Sequence, residues 1–190
     1  MPATGKSTLA IKLAAELDFK VCIGVDEIKE VVKKYDNNPF LSKSSHDAWQ
    51  LIGKRTEKNI LSGFQKYCQG LKSGVMSIFE KSEKNGENII IEGIQLLPKL
   101  YCHDLQNFNL FYFIIKSEYK NIYKEKIRHK ILERHGKQVD VWSEKFREFI
   151  LIEEEVLKQA ERFKCHVLPE KNFYEQIEII KNIIVRYEII

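Results

Sequence analysis

Apolar residues in this chain alternate between short unbroken runs and longer stretches with a three-to-four-residue spacing. Leu9, Leu13 and Leu17 mark one face of a helix over residues 7–17. Residues 21–25 form a short apolar run ending at Asp26, the pattern of a buried strand. A helix over 27–35 follows, then a loop over 36–43 that holds Asn37, Asn38 and Pro39. Residues 44–52 are predicted helical. Ile60, Phe64, Tyr67, Leu71, Val75 and Ile78 then predict a long helix over 57–84, and Gly86 stands where a C-terminal cap belongs.

Further strands are predicted at 88–91, ending in Glu92-Gly93, at 110–115 and at 165–168. Helices over 118–135, 143–163 and 172–187 complete the series. Short apolar strands without polar alternation, separated by helices, indicate an α/β protein with a parallel sheet covered on both faces.

Chemistry enters at the first helix. Ala3-Thr4-Gly5-Lys6-Ser7-Thr8 opens directly onto it. In the pattern GxxxxGK[ST] backbone N–H groups cradle phosphates, the lysine reaches the β- and γ-phosphates, and the hydroxyl ligates magnesium. The helix N-terminus adds unpaired donors and positive partial charge. Residues Ala3 to Thr8 are therefore the expected ATP site, with Lys6 at the transferring group and Ser7 on Mg²⁺. The pattern's first glycine, and the strand that feeds such a loop, fall before residue 1. The expected fold is thus a P-loop three-layer sandwich lacking its first, central strand, with Met1 an internal methionine of a longer product.

Asp26 and Glu92 end two predicted strands. Ligands of open α/β sheets bind beyond the carboxyl ends of strands, so both should lie near Lys6 and Ser7. Phosphoryl transfer needs metal neutralisation and a group that orients the attacking hydroxyl. The two carboxylates can supply both, Glu92 with the metal and either one as the base; Asp26 could also merely cap the helix after it.

Charge sharpens this picture in one segment. The whole chain carries +4, from 31 basic and 27 acidic residues, which is too mild to argue for nucleic acid. Residues 116–138 hold eight basic and three acidic residues, a surplus of five. Such a run suits a lid that brings cations over the phosphates, with Arg128 and Arg134 the best matches to phosphate. Tyr119 and Tyr123 are its only aromatic residues, too few for a stacking platform, which disfavours RNA. Four scattered cysteines, no CxxC pair, no signal sequence and an uncharged run of only 11 residues (105–115) predict a cytoplasmic protein without a membrane span. With no linker or repeat, residues 1–190 read as one domain, with a helical acceptor-side lobe over 36–86 and a lid-like segment over 116–140.

Several stretches together resemble the archaeal 2-phosphoglycerate kinases. These are Asp26-Glu27-Ile28-Lys29-Glu30-Val31-Val32-Lys33, then Pro39-Phe40-Leu41 with Ser44-Ser45-His46-Asp47-Ala48-Trp49, then the run from Ile89 through Glu92-Gly93 to Leu97-Pro98. The resemblance implies transfer of the ATP γ-phosphate to the hydroxyl of 2-phosphoglycerate, a small anionic substrate. It implies that Lys29 and Lys33 stand where the family's arginines meet that substrate, and that Ser44 and Ser45 lie on the acceptor side. Gln95 occupies a position where histidine is expected, and Ile150 replaces an arginine. Lysine for arginine removes bidentate anion recognition at two positions. Two other readings follow from the same residues: a non-catalytic nucleotide-binding protein, or a related kinase with a different acceptor, including an RNA 5′-hydroxyl.

Overall fold

The computed structural model describes residues 4–106, 108–117, 125, 126, 129, 145–169 and 171–188. In chain order the elements are α1 (Lys6–Glu16), β1 (Val21–Gly24), α2 (Val25–Tyr35), two 3-10 turns (Pro39–Ser42 and Ala48–Leu51), α3 (Glu57–Asn85), β2 (Ile89–Glu92), α4 (Pro98–Tyr101), β3 (Phe113–Ile115), α5 (Phe146–Arg162), β4 (His166–Leu168) and α6 (Phe173–Glu188). The basic segment, including Arg128 and Arg134, falls almost wholly outside the described residues.

The strands pair in parallel, as their apolar runs require, but in two separate pairs. β1 lies beside β2 with Gly24 opposite Glu92. β3 lies beside β4 with Ile115 opposite Leu168. Among the described residues neither pair takes a third strand. Their side chains nevertheless serve the same two layers. Ile23, Ile91 and Ile114 pack against the cluster built by α2, α3 and α5. Ile90, Phe113, Ile115 and Leu168 join Leu9 and Leu13 of α1 and Ile177 and Ile180 of α6 on the other side.

The long helix α3 organises the first layer. Thr56 caps it by accepting from the Asn59 N–H at 3.2 Å, and left-handed Gly86 (φ 62°) ends it. Phe64, Leu71 and Val75 are completely buried, and each such side chain contributes about 1.5–3 kcal/mol. Gly63, Gly70 and Gly74 lie on one stripe of this helix. A Cβ on Gly63 would sit 2.4 Å from the Trp49 backbone nitrogen, and one on Gly74 would sit 2.9 Å from Ile28 and Val32. The 3-10 turn at Ala48–Leu51 and helix α2 therefore rest against bare helix backbone.

Three expected boundaries shift. Strand β1 stops at Gly24, so Asp26 is the second residue of α2 rather than the strand's end. Residues 44–52 form a turn and a short 3-10 segment, because Ser44 spends its hydroxyl on Asp47 (2.7 Å) instead of letting a regular helix begin. β3 is three residues long because β4 offers only three partners.

Candidate active site

The phosphate loop and three strand or helix ends converge on one edge of the first sheet. Gly5 precedes α1 in the left-handed region (φ 78°), and the ring of Phe173 closes over it, 2.8 Å from where a Cβ would stand. Only glycine meets both conditions at low cost. Lys6 is the first helical residue, and the first turn of α1 carries no acidic side chain to compete for its N–H donors. The Ser7 hydroxyl donates to Glu92 Oε1 at 2.7 Å, across 85 residues of sequence. Thr4 is buried beside the loop and Thr8 is exposed, while Ala3 lies outside the described residues.

Glu27 folds back toward the same strand end. A Cβ on Gly24 would lie 2.2 Å from its carboxylate and 3.3 Å from that of Glu92. Ser7 and Glu92 thus place two hard oxygen donors side by side, a fit for Mg²⁺, which takes few protein ligands and completes its shell with phosphates and water. Among the described residues no group of three or more His, Cys, Asp and Glu side chains forms a metal cage by itself.

Another group of polar side chains starts at Asp26. The amide of Gln95, which is 3% exposed, donates to Asp26 Oδ1 at 2.8 Å. Gln95 is aimed there by the turn at Gly93, where a Cβ would come within 2.8 Å of Val25. Burial holds the Tyr67 phenol well above its usual range. Lys29, one helical turn after Asp26, puts its ammonium 5.6 Å from the Tyr67 ring centre. Lys33 lies a further turn along and pairs with Glu30 at 3.3 Å on the surface.

A second polar group adjoins this one. Ser44 contacts His46 Nε2 at 3.1 Å and donates to Asp47 at 2.7 Å, and Lys145 reaches Asp47 Oδ2 at 2.6 Å. Burial lowers the His46 pKa to about 4, helped by the Lys145 and Lys29 charges and opposed by Asp47 and Glu148, so its imidazole is neutral at pH 7. Burial alone would raise the Asp47 carboxyl, yet bonds from Lys145 and Ser44 bring it below its ordinary value. Arg55 grips Glu148, 1% exposed, through two bonds of 2.6 and 2.8 Å. Ser45 is half-buried beside this group.

The structure therefore gathers Lys6, Ser7 and Glu92 on one side, and Asp26, Lys29 and Gln95 on the other. Lys33 sits at the margin. Tyr67, His46, Asp47, Arg55, Lys145 and Glu148 had no place in the expected site. One signal was available for Arg55: it is the only arginine before residue 128 in a lysine-rich chain. A separate cavity of about 610 Å³, lined by residues such as Asp36, Phe40, Lys66 and Ser73, shares no residue with this site.

The chain is similar to archaeal 2-phosphoglycerate kinases. It is 27% identical over 183 residues to the 2-phosphoglycerate kinase of Pyrococcus horikoshii, covering 93% of this chain and 59% of that relative. The protein of the same name from Pyrococcus furiosus is 27% identical over 94% of this chain, and that from Methanococcus vannielii 26% identical over 92%. The chain spans 58–59% of the length of these relatives. No family model and no solved structure matches it.

Proposed function

We propose that this chain carries the ATP-dependent phosphotransfer site of a kinase whose acceptor is the hydroxyl of a small anionic molecule, 2-phosphoglycerate foremost. The observation that carries this reading is the Ser7–Glu92 hydrogen bond, which brings the phosphate-loop hydroxyl onto a strand-end carboxylate. That contact supports different roles for the two carboxylates. Glu92 belongs with Ser7 on the metal side. Asp26, held by Gln95, is the carboxylate left for the acceptor.

Lys6 holds the transferring phosphoryl group, and the N–H groups of the loop and first turn cradle the phosphates. Ser7 and Glu92 would hold Mg²⁺, which would supply neutralisation of charge on the phosphate oxygens. Asp26 orients the acceptor hydroxyl and takes its proton as the oxygen bonds to the γ-phosphorus. The bond from that phosphorus to the β–γ bridging oxygen breaks, and ADP leaves. Lys29 meets the acceptor's own anionic group, with Lys33 farther out and Ser44 and Ser45 on that flank. Arg128 and Arg134, which lie outside the described residues, carry the guanidinium chemistry that suits the phosphates.

The same reading extends to the fold and setting. The two strand pairs are halves of one parallel sheet in a three-layer sandwich, with the place of a central strand between β2 and β3. Shared packing of Ile91 with Ile114, and of Ile90 with Phe113, supports this. The lobe over 36–86 is the acceptor side of a single domain. Four free cysteines suit a cytoplasmic setting, and among the described residues no helix is long and apolar enough to cross a membrane.

The test is ADP formation with Mg·ATP and a panel of acceptors: 2-phosphoglycerate, other phosphorylated acids and a 5′-hydroxyl RNA. Transfer to 2-phosphoglycerate that disappears in Lys6→Ala is the expected result. Nucleotide binding without transfer to any acceptor would support a non-catalytic protein, and transfer to RNA alone would reassign the substrate.

A further inference from the structure

Two carboxylates follow one another in the first turn of α2, and they turn to different partners. Successive helical residues project about 100° apart, which lets neighbours serve different surroundings. Asp26 meets the Gln95 amide at 2.8 Å. Glu27, exposed to solvent, folds back over the end of β1 instead.

Position 24 shows where that carboxylate goes. Gly24 has φ −83° and ψ 143°, an extended backbone that any residue adopts, so its conformation does not call for glycine. Space does. A Cβ on Gly24 would lie 2.2 Å from Glu27 Oε2 and 3.3 Å from Glu92 Oε1. Gly24 also stands opposite Glu92 in the parallel register. Its missing side chain would therefore point to the face on which Glu92 accepts from Ser7.

We infer that Glu27 is a metal-holding residue of the phosphotransfer site, its carboxylate filling the place of the side chain that Gly24 lacks and facing Mg²⁺ together with Ser7 and Glu92. This inference rests on the phosphotransfer reading above and adds a residue to its metal side.

The donor chemistry fits. Mg²⁺ takes oxygen ligands, commonly one or two carboxylates with substrate phosphates, and keeps several waters. Ser7, Glu92 and Glu27 supply a hydroxyl and two carboxylates around one point, and the exposure of Glu27 leaves room for a hydrated ion. Two carboxylates so close repel each other, and a divalent cation turns that repulsion into attraction to both. Among the described residues no cation pairs with either one. A carboxylate at the third position of a helix can also serve as a cap, accepting from the N–H of the residue before the helix. No such bond joins Glu27 to Gly24 among the described residues. Two carboxylates are too few to cage an ion alone, so the metal should bind with the nucleotide.

The experiment reads metal binding without turnover. Mn²⁺ replaces Mg²⁺ as the probe and is titrated into the full chain with saturating ADP, with free Mn²⁺ followed by electron paramagnetic resonance. The unmodified chain should hold Mn²⁺ more tightly than ADP alone does. Glu27→Gln keeps the size of the side chain and removes its charge; it should raise the Mn²⁺ Kd about 10-fold. ADP affinity in EDTA should not fall, and the melting temperature without metal should not drop. Gly24→Ala keeps the charge but takes the seat of the carboxylate. It should weaken Mn²⁺ similarly, and the double variant should be no weaker than the poorer single one.

An unchanged Mn²⁺ Kd in Glu27→Gln overturns the inference whether or not Gly24→Ala folds, and a lower melting temperature beside it makes Glu27 a helix cap. In that case Mn²⁺ bound by the unmodified chain with ADP leaves the phosphotransfer reading standing. No Mn²⁺ bound beyond that held by ADP alone removes the reading itself, and the role of Glu27 with it.

Discussion

The two sides of the site are built in opposite ways. The proposed phosphate side is local and open: Gly5, Lys6 and Ser7 are consecutive, they start one helix, and Ser7 meets a strand-end carboxylate, Glu92. The proposed acceptor side is assembled from afar, around the buried side chains of Gln95, His46 and Glu148. Gln95 reaches Asp26 across 69 residues, Arg55 reaches Glu148 across 93, and Lys145 reaches Asp47 across 98. The difference follows from the ligands. A phosphate chain is met by backbone N–H groups that any glycine-led helix start supplies. A particular small alcohol needs side chains at fixed separations, which only tertiary packing provides. On the proposed reading, nucleotide recognition sits on a short motif and acceptor choice on tertiary packing.

Substitutions on the two sides should differ in kind. On the phosphate side, Lys6→Ala should reduce turnover by about 10³-fold or more with little change in thermal stability, measured by coupled ADP release and by melting. A matching drop in melting temperature would erase the contrast. On the acceptor side, Arg55→Met strands the buried Glu148 carboxylate and should cost about 3–4 kcal/mol in urea unfolding. A loss below about 1 kcal/mol would mean that solvent already screens this pair.

A pH effect belongs to the acceptor side as well. His46 titrates near 6.5 when unfolded and near 4 when folded. Above pH 6.5 it is neutral in both states. Between 6.5 and 4 the unfolded chain binds a proton that the folded chain refuses. Stability should therefore fall as pH drops through this window, by up to about 3 kcal/mol, and His46→Gln should flatten that part of the curve. The smallest effect is expected at the margin. Lys33→Ala removes a surface pair with Glu30 and should change stability by less than about 0.5 kcal/mol. Its acceptor KM should rise less than that of Lys29→Met, and the reverse order would move the anion site one helical turn outward.

The same contrast governs what could be read from the sequence. The helix start at Lys6 after Gly5 was legible because the motif's residues are contiguous. The alternating elements and parallel pairing were legible from strand runs without polar positions. The resemblance read from residues 26–33, 39–49 and 89–98 is matched by similarity to archaeal 2-phosphoglycerate kinases over more than nine-tenths of the chain. Tyr67 was not legible as anything but core, because its spacing within α3 is that of a buried stripe and the contact that distinguishes it, the Lys29 ammonium over its ring, comes from α2. Asp26 was placed at a strand end because Val25 extends the apolar run, although Val25 starts α2 and is fully buried there. His46 and Asp47 were passed over because the tertiary partner that completes their group, Lys145, comes from the turn before α5.

Attempts to make this protein more robust should begin elsewhere than on α3. Exchanging helical glycine for alanine is a standard route to higher melting temperature, since it restores helix propensity of about 1 kcal/mol per site. Along the stripe of Gly63, Gly70 and Gly74 that route runs backwards. The space a methyl group would need at Gly63 is taken by the backbone of Ala48 and Trp49, and at Gly74 by Ile28 and Val32 of the helix that carries Asp26 and Lys29. Alanine there would lever the acceptor-side elements away from the helix that seats them, trading the geometry of the reaction for the regularity of a helix.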